Sequence, residues 1–568
     1  MKCVALALAL AGPALAAPAA DSVPTLPQYG TPPTAMYSGY LDAKGTSAHP
    51  GCAATEAECK LHYWFAAAKN NPETAPVVLW LNGGPGSSSI LGMLQEQGPL
   101  IINATGGLMV NPYSWINMAN LVVLESPTGV GYSYCSTQIA GGVCKNTDKL
   151  TAASARAAMV DFFGAKFPEL AKNEFFISGE SYGGVYVPTL SKEILDNAPP
   201  GAINFKGVSV GDPCTDNTAQ KDSMDMLWYG HKNGFVPEQE YDLLWNQCSM
   251  RSPAVLSKGR WAWGQNQPAA NKAELVEQFR AAHSLDAQRA RHHKLHGVEM
   301  SPACTLAYRK FLASSSKGFS QGWINAYINN LSLYGASALV SFDLPGSMNY
   351  ATKTYMQRPD VQAALHVDSG PSRSWPDVKQ GFDYTSDYDA CNGDVAPGAW
   401  SMIDFYRDIA PRLDTTLVMN GDTDPCVSYE GTRVAMTRVG FAEVDGGSYR
   451  PWFYNHTAAS YVELHSKTGV WGPDLSLSAT GIQMGGSIVN YEHGLAFQTV
   501  HGAGHMVPQF RPQASLHQIA KVLLKQDFAP LLPTNATLAN MTDAEYDTAL
   551  DKWTLAAKAA PYTDPFLI

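Results

Sequence analysis

Residues 174–184 read EFFISGESYGG, and this stretch decides the fold. A β-rich run from Glu174 to Ser178 leads into Gly179-Glu180-Ser181-Tyr182-Gly183, which fits Gly-x-Ser-x-Gly, and a helical pattern follows from Val185 to Asn197. Glycines on both sides of Ser181 permit a sharp turn from strand to helix that lifts the hydroxyl above a sheet, where the helix N-terminus favours developing negative charge. Chance matches to this motif are common in long chains, so the prediction depends on the strand before the motif and the helix after it. We predict that Ser181 is a nucleophile.

Further apolar, β-rich runs recur along the chain, and helical patterns fall between them. One helix is predicted from Leu150 to Phe167, where Pro168 ends it. Strands that alternate with helices and read as continuous apolar runs are typical of a layered α/β fold with a mainly parallel sheet. The other predicted strands are Val77 to Leu81, Leu121 to Glu125, Gly207 to Val210, Thr416 to Met419 and Leu495 to Val500.

The chain has 568 residues, which is longer than a single hydrophobic core usually supports. We therefore expect one catalytic domain that carries an insertion. The predicted parts are a signal peptide at 1–17, a first part of the core at 18–211, a helical insertion or cap at 212–345 and a second part of the core at 346–568. The insertion contains Trp245, Trp261, Trp263 and Trp323. Its basic segment, residues 280–296, is interpreted as a solvated loop or a proteolytic nick site in preference to a substrate contact.

Composition and charge limit the class of function. The formal net charge of -11, without a long basic run, argues against a nucleic-acid partner. The apolar run from Val4 to Leu10, followed by Ala14-Leu15-Ala16, has the order of a secretory signal with its cleavage site. No later segment has the length and apolar character of a membrane span, nor does the C-terminal end resemble a lipid-anchor signal. We therefore predict a secreted protein without a membrane partner, with vacuolar or lysosomal residence as the alternative.

The cysteines and sequons agree with that compartment. Nine cysteines remain once Cys3 leaves with the signal, so at least one stays free or bonds another chain. Cys52 with Cys59 and Cys135 with Cys144 are close enough to staple short loops, whereas the pairing of the other five is not readable. Potential glycosylation sites are Asn103, Asn330, Asn455, Asn535 and Asn540.

A serine nucleophile needs a histidine base and a carboxylate that orients it. The loop Asn420-Gly421-Asp422-Thr423-Asp424 follows one predicted strand, and the loop His501-Gly502-Ala503-Gly504-His505 follows another. Catalytic groups of such sheets gather at the carboxyl ends of strands. Two aspartates and two histidines therefore compete for the two roles.

Several blocks of the sequence together resemble the serine carboxypeptidase family, including its secreted fungal members. They span nearly the whole chain in the family's order, and the resemblance implies an α/β-hydrolase fold. It also implies that Ser181 is the nucleophile, Asp424 the orienting acid and His505 the base, which leaves Asp422 as a loop-shaping residue. The blocks are Trp80 to Gly86, Glu125-Ser126-Pro127 through Gly131-Tyr132-Ser133, Gly179 to Gly184, Gly421 to Asp424, and Gly502 to Pro508.

The resemblance assigns further roles around the nucleophile. Backbone N–H groups of Gly84 and Tyr182 would form the oxyanion hole, while Met506 would line the pocket for the leaving residue. The substrate's terminal carboxylate would be held by Asn82, the N–H of Gly83, Glu96 and Glu180. Two glutamates beside a substrate anion cannot all be ionised, so one should keep a proton, which favours activity in acid. The implied substrates are peptide or protein C-termini, and neither a cofactor nor a metal is expected.

One position departs from the family's pattern. Ser87 stands where the family usually has a cysteine, so the usual bridge to the position that Cys391 resembles cannot form. Cys391 is then free or differently paired, with Cys426 as the suggested partner. Two other functions remain open, namely acyl transfer to an alcohol and a non-catalytic binding role, although the latter should have lost a triad residue. The sequence leaves the oligomeric state open.

Overall fold

The computed structural model describes residues 18–103, 106–250, 285–314, 348–368, 370–371, 375, 382–391, 395–424, 427–456 and 481–559. The predicted signal peptide, Trp261, Trp263, Trp323 and Asn330 lie outside these residues. Within them, no helix is long and apolar enough to cross a membrane.

The described strands are numbered in chain order. They are β1 (Met36–Asp42), β2 (Cys59–Ala66), β3 (Val77–Leu81), β4 (Leu100–Ile102), β5 (Leu108–Val110), β6 (Asn120–Leu124), β7 (Tyr134–Cys135), β8 (Cys144–Thr147), β9 (Phe175–Glu180), β10 (Phe205–Gly211), β11 (Phe382–Thr385), β12 (Thr415–Gly421), β13 (Arg450–His456), β14 (Gly481–Asn490) and β15 (Leu495–Val500).

Eleven of the described strands form one sheet, in the order β1-β2-β6-β3-β9-β10-β12-β15-β14-β13, with β7 paired to β2. The six strands from β6 to β15 in that order are parallel, and the strands at both ends pair antiparallel. Because parallel strands end at the same edge, the loops after β3, β9, β10, β12 and β15 share one side of the sheet. The mainly parallel α/β-hydrolase architecture predicted from the sequence is confirmed.

The described helices are Ile90–Gln95, Ser136–Ile139, Asp148–Asp161, Gly183–Asn197, Asn217–Gln220, Met226–Lys232, Glu238–Asp242, Leu285–His296, Pro302–Ser314, Met348–Met356, Pro359–Ala364, Met402–Ile409, Tyr429–Arg438, Val507–Phe510, Pro512–Leu523, Asn535–Asn540 and Asp543–Lys558. The helix predicted to start at Leu150 starts two residues earlier because the Thr147 side chain caps it by accepting from the Leu150 N–H. Its last turn, Phe162–Lys166, widens into a π-helix before Pro168.

The sheet is buried on both faces. Along β3, Val77, Leu79 and Leu81 pack into one apolar cluster. The alternate residues Val78 and Trp80 pack into the cluster on the opposite face. Every residue of β3 is buried, which explains why this strand reads as a continuous apolar run.

Helices make up the regular elements that are described between residues 212 and 345, as the sequence predicts. A third apolar cluster lies there and includes Leu227, Trp245 and Phe311. The basic segment 280–296 was interpreted as a solvated loop or a proteolytic nick site. Its described part is not a loop: it forms the helix Leu285–His296, because alanine, leucine, arginine, glutamine and lysine favour helix. Nicking of this segment stays a prediction. The domain boundaries and the cap role of this segment stay predictions.

Four disulfides join described cysteines. Cys52–Cys59 and Cys135–Cys144 staple the short loops that the spacing indicates. Cys248–Cys304 lies within the insertion. The suggested Cys391–Cys426 pairing is wrong, because Cys391 bonds Cys214, which lies just beyond β10 with its Cα 5.4 Å away. Cys426 lies outside the described residues.

Candidate active site

The nucleophile turn joins β9 to the helix Gly183–Asn197. Ser181 has φ of 62°, in the left-handed region, and its N–H donates to the Gly211 carbonyl at 3.0 Å. A Cβ on Gly179 would lie 2.6 Å from the Leu81 carbonyl oxygen, so β3 approaches too closely for a larger residue. The strained serine is held by the two neighbouring strands, as a nucleophile elbow requires.

A buried imidazole–carboxylate pair faces the same edge of the sheet. His505 follows β15 and Asp424 follows β12, and His505 Nδ1 lies 2.7 Å from Asp424 Oδ2. Both side chains are buried, and the Val427 N–H also donates to Asp424 Oδ2 at 3.0 Å. Since Nδ1 is committed to the carboxylate, Nε2 is the ring nitrogen suited to exchange a proton with a nucleophile.

The second histidine–aspartate pair on these loops has a different environment. His501 Nδ1 lies 2.9 Å from Asp422 Oδ2, and the His501 side chain is 70% exposed. Asp422 Oδ1 accepts the Gly502 N–H at 2.7 Å, which ties the two loops together. This geometry favours a loop-shaping role for Asp422.

The glycine-rich turn Asn82 to Gly86 packs against the nucleophile turn. A Cβ on Gly83 would lie 2.7 Å from the Ser181 Cβ and closer still to the Tyr182 nitrogen. Gly84 has φ of 110°, which an L side chain rarely adopts. The turn therefore lies against Ser181 and Tyr182, and the role of the Gly84 and Tyr182 N–H groups as oxyanion donors stays a prediction.

Two glutamates meet beside this turn. Asn82 Nδ2 donates to Glu96 Oε1 at 3.1 Å and to Glu180 Oε1 at 2.7 Å. Both carboxyl groups are buried, and one amide nitrogen contacts both of them, so two groups that would repel each other when ionised lie close together. Burial raises the pKa of Glu96 to about 7. Burial and then the charge of Glu96 raise the pKa of Glu180 well above its usual range.

The orientation of Asn82 follows from its other contacts. Its Oδ1 accepts the Trp80 indole N–H at 2.8 Å and the Gly92 N–H at 3.0 Å. The Nδ2 hydrogens must therefore point to the two glutamates. Asn82 thus positions the carboxyl pair, and its direct contact with a substrate carboxylate stays a prediction.

The remaining predicted site residues occupy varied environments. Met506, next to His505, is buried in an apolar cluster, and its pocket role stays a prediction. Among the sequons, Asn535 and Asn540 are exposed, whereas Asn103 and Asn455 are half-buried.

Two buried aspartates near the site were missed by sequence reasoning. Asp212 follows β10, and the strand-end argument that singled out Asp424 could also have found it. Asp148 begins the helix Asp148–Asp161 and accepts from the Tyr182 hydroxyl at 2.8 Å and the Tyr384 hydroxyl at 2.6 Å. It therefore braces the residue that follows the nucleophile, a contact that no local pattern indicates.

Comparison with known proteins identifies the family. A family model described as serine carboxypeptidase matches residues 24–525. The chain belongs to the serine carboxypeptidase family. It is similar to serine carboxypeptidase-like 34 of Arabidopsis thaliana, with 30% identity over 89% of each chain. It is also similar to serine carboxypeptidase 1 of Hordeum vulgare, with 27% identity over 88% of this chain and 91% of the relative.

A solved structure shows the same fold. The prohormone-processing carboxypeptidase KEX1(delta)p from Saccharomyces cerevisiae superposes with a TM-score of 0.55 at 18% identity, covering 88% of this chain and 94% of that one. The family membership assigns the chain to the serine-type carboxypeptidases, which are hydrolases.

Proposed function

We propose that this protein is a secreted carboxypeptidase that hydrolyses the C-terminal peptide bond of peptides and proteins through an acyl-enzyme on Ser181, and that acid favours the reaction. The observation that carries the proposal is the buried His505–Asp424 pair at the same sheet edge as the strained Ser181. Secretion is supported by the signal-like N-terminal sequence and by four disulfides among the described cysteines.

The chemistry follows from the roles of these groups. His505 Nε2 takes the proton of the Ser181 hydroxyl as the oxygen attacks the scissile carbonyl carbon. The N–H groups of Gly84 and Tyr182 stabilise the oxyanion that forms. His505 then protonates the departing amine of the C-terminal residue as the peptide bond breaks. Water attacks the acyl-enzyme while His505 takes its proton, and His505 returns that proton to the Ser181 oxygen as the ester bond breaks and the shortened peptide leaves as a carboxylic acid. Asp424 orients the imidazole and stabilises its charged form.

The glutamate pair supplies selectivity for a free C-terminus. With one proton in the pair, the carboxyl group of Glu96 or Glu180 can donate a hydrogen bond to the substrate carboxylate. Because burial raises the pKa of both groups, the proton is present in acid. It is lost as pH rises through those raised values. The site then becomes anionic and should bind the substrate anion more weakly.

The test compares Glu180→Gln with the parent enzyme on one peptide whose C-terminus is free or amidated. The variant should lose preference for the free acid and change its pH dependence. Glu174→Gln is the matched control, because Glu174 lies just before the opposite end of β9 and pairs with Lys525. Unchanged selectivity together with an unchanged acid optimum would refute the role of the pair.

The peptidase activity itself is tested by digestion of a mixed peptide library at acid pH, read by mass spectrometry. Ladders shortened from the C-terminus are expected from the parent enzyme and not from Ser181→Ala. Transfer of an acyl group to an added alcohol without such ladders would favour the acyltransferase function instead.

A further inference from the structure

Asp212 is a fully buried carboxyl group at the edge of the sheet where the catalytic loops meet. It follows β10, which lies between β9 and β12 in the sheet. The side chain has 0% exposure. Its backbone N–H donates to the Met419 carbonyl at 2.8 Å, and its φ is 44°. The backbone thus fixes this carboxyl group in place, away from solvent.

The contacts of Asp212 lead directly to the triad. Its Oδ1 accepts the Gly421 N–H at 2.9 Å and the Asn420 side-chain N–H at 3.3 Å. Its carboxyl group also lies close to that of Asp424, because polar atoms of Asp212, Asp424 and His505 all lie within 4.8 Å of one another. Two buried carboxyl groups at such short range repel each other when both are ionised, which favours a proton on one of them.

The proton belongs on Asp212. Asp424 Oδ2 already accepts from the His505 imidazole and the Val427 N–H, which favours its ionised form. Among the described residues, no N–H or O–H group donates to Asp212 Oδ2, so this oxygen can carry the proton.

The charged groups around Asp212 also favour its protonated form. Asp424 faces it from the loop after β12, Glu180 from the end of β9 and His505 from the loop after β15. Burial, and then the charge of Asp424, raise the pKa of Asp212 well above its usual range, against the lowering effect of the Gly421 N–H.

We propose that Asp212 is a positioning residue that keeps its proton and donates a hydrogen bond to Asp424, and thereby extends the use of His505 as a base into acid. This inference rests on the proposed function. A carboxylate that accepts a hydrogen bond from a neutral acid has its charge partly delocalised, so it stabilises an adjacent imidazolium less. The acid limb of the activity profile should therefore lie at lower pH than it would without Asp212.

The test measures the acid limb of kcat and kcat/KM against pH for the parent enzyme, Asp212→Asn and Asp212→Ala on one peptide. Asparagine can accept from the Gly421 N–H while its amide donates to Asp424, so its acid limb should stay within about 0.3 pH unit of the parent's. Alanine removes the donor, so the acid limb should move up by about one pH unit, a tenfold loss on that limb. Asp422→Asn is the control, and its acid limb should not move.

The results that would overturn this inference differ from those that would refute the proposed function. If Asp212 is ionised, Asp212→Asn removes a negative charge near the imidazolium, and the acid limb moves to lower pH by about a unit. That shift overturns the inference even if Asp212→Ala does not fold. An equal loss of kcat at every pH in both variants indicates a merely structural residue and also overturns it. A parent enzyme that cleaves no peptide refutes the proposed function instead.

Discussion

Replacing Gly83 with alanine should remove most of the turnover. A Cβ at this position would lie 2.7 Å from the Ser181 Cβ and 2.8 Å from the Glu180 carbonyl oxygen, both closer than the 3.0 Å that real Cβ atoms respect. The Tyr182 nitrogen, a predicted oxyanion donor, would be closer still. Because two of these three atoms belong to the backbone, the turn from Asn82 to Gly86 must move away from the nucleophile.

The size of the effect follows from that displacement. Moving the turn takes the Gly84 N–H away from the oxyanion, and loss of one such donor lowers kcat by about 10²- to 10³-fold, or roughly 3 to 4 kcal/mol. Gly211→Ala is the matched control beside the nucleophile turn, because its Cβ would meet only Met419 Cε at 3.4 Å and the Gly179 oxygen at 3.8 Å. It should stay within about threefold of the parent enzyme.

The assay combines kcat/KM on a peptide, covalent labelling of Ser181 by an organofluorophosphate and thermal unfolding. We expect the Gly83→Ala protein to be folded, which a cooperative thermal unfolding transition would show, but slow in turnover. Activity of this variant within about threefold of the parent would show that the turn does not carry the oxyanion donor.

Three further predictions concern single side chains. Asp424→Asn should lower kcat by about 10⁴-fold, whereas Asp422→Asn should cost less than tenfold, because only Asp424 holds the buried imidazole; equal losses in a steady-state assay would contradict the assignment. Met506→Ala should change the preference for the C-terminal residue across a peptide series, and an unchanged preference would reduce Met506 to packing. Burial raises the pKa of Asp148 from 3.8 to about 6, so the folded protein loses roughly 3 kcal/mol of stability as pH rises from 4 to 6. The melting temperature of the parent enzyme should therefore fall across this range. In Asp148→Asn it should fall less. The same dependence of melting temperature on pH in the parent enzyme and in Asp148→Asn would contradict this.

The central strands could be predicted from the sequence because their signal is local. Val77–Leu81 and Leu495–Val500 begin and end where the predicted runs do, since strands covered on both faces are rich in apolar residues, although the second strand also contains Gln498 and Thr499. The elbow around Ser181 was equally readable, because the glycines that it needs are adjacent in the chain. Helix ends were less accurate: the start at Asp148 depends on a cap that apolar periodicity does not show.

The family resemblance selected Asp424 and His505 from two candidates each, and the structure adds a physical difference between the pairs. One pair is buried and the other is exposed, and burial depends on how the loops after β12 and β15 pack against their neighbours. Spacing along the chain carries no such information.

The sequence by itself determined the fold class, the loops that carry the candidate catalytic residues and the residue types available for the chemistry, because each follows from short runs of neighbouring residues. Only the tertiary structure decided which distant groups meet. Cys214 bonds Cys391 across 177 residues, and Asp212 meets Asp424 because β10 and β12 are adjacent in the sheet. The orientation of the Asn82 amide likewise depends on Trp80 and Gly92 facing one side of it and two glutamates the other. Such contacts depend on strand order and burial, and both are properties of the folded chain.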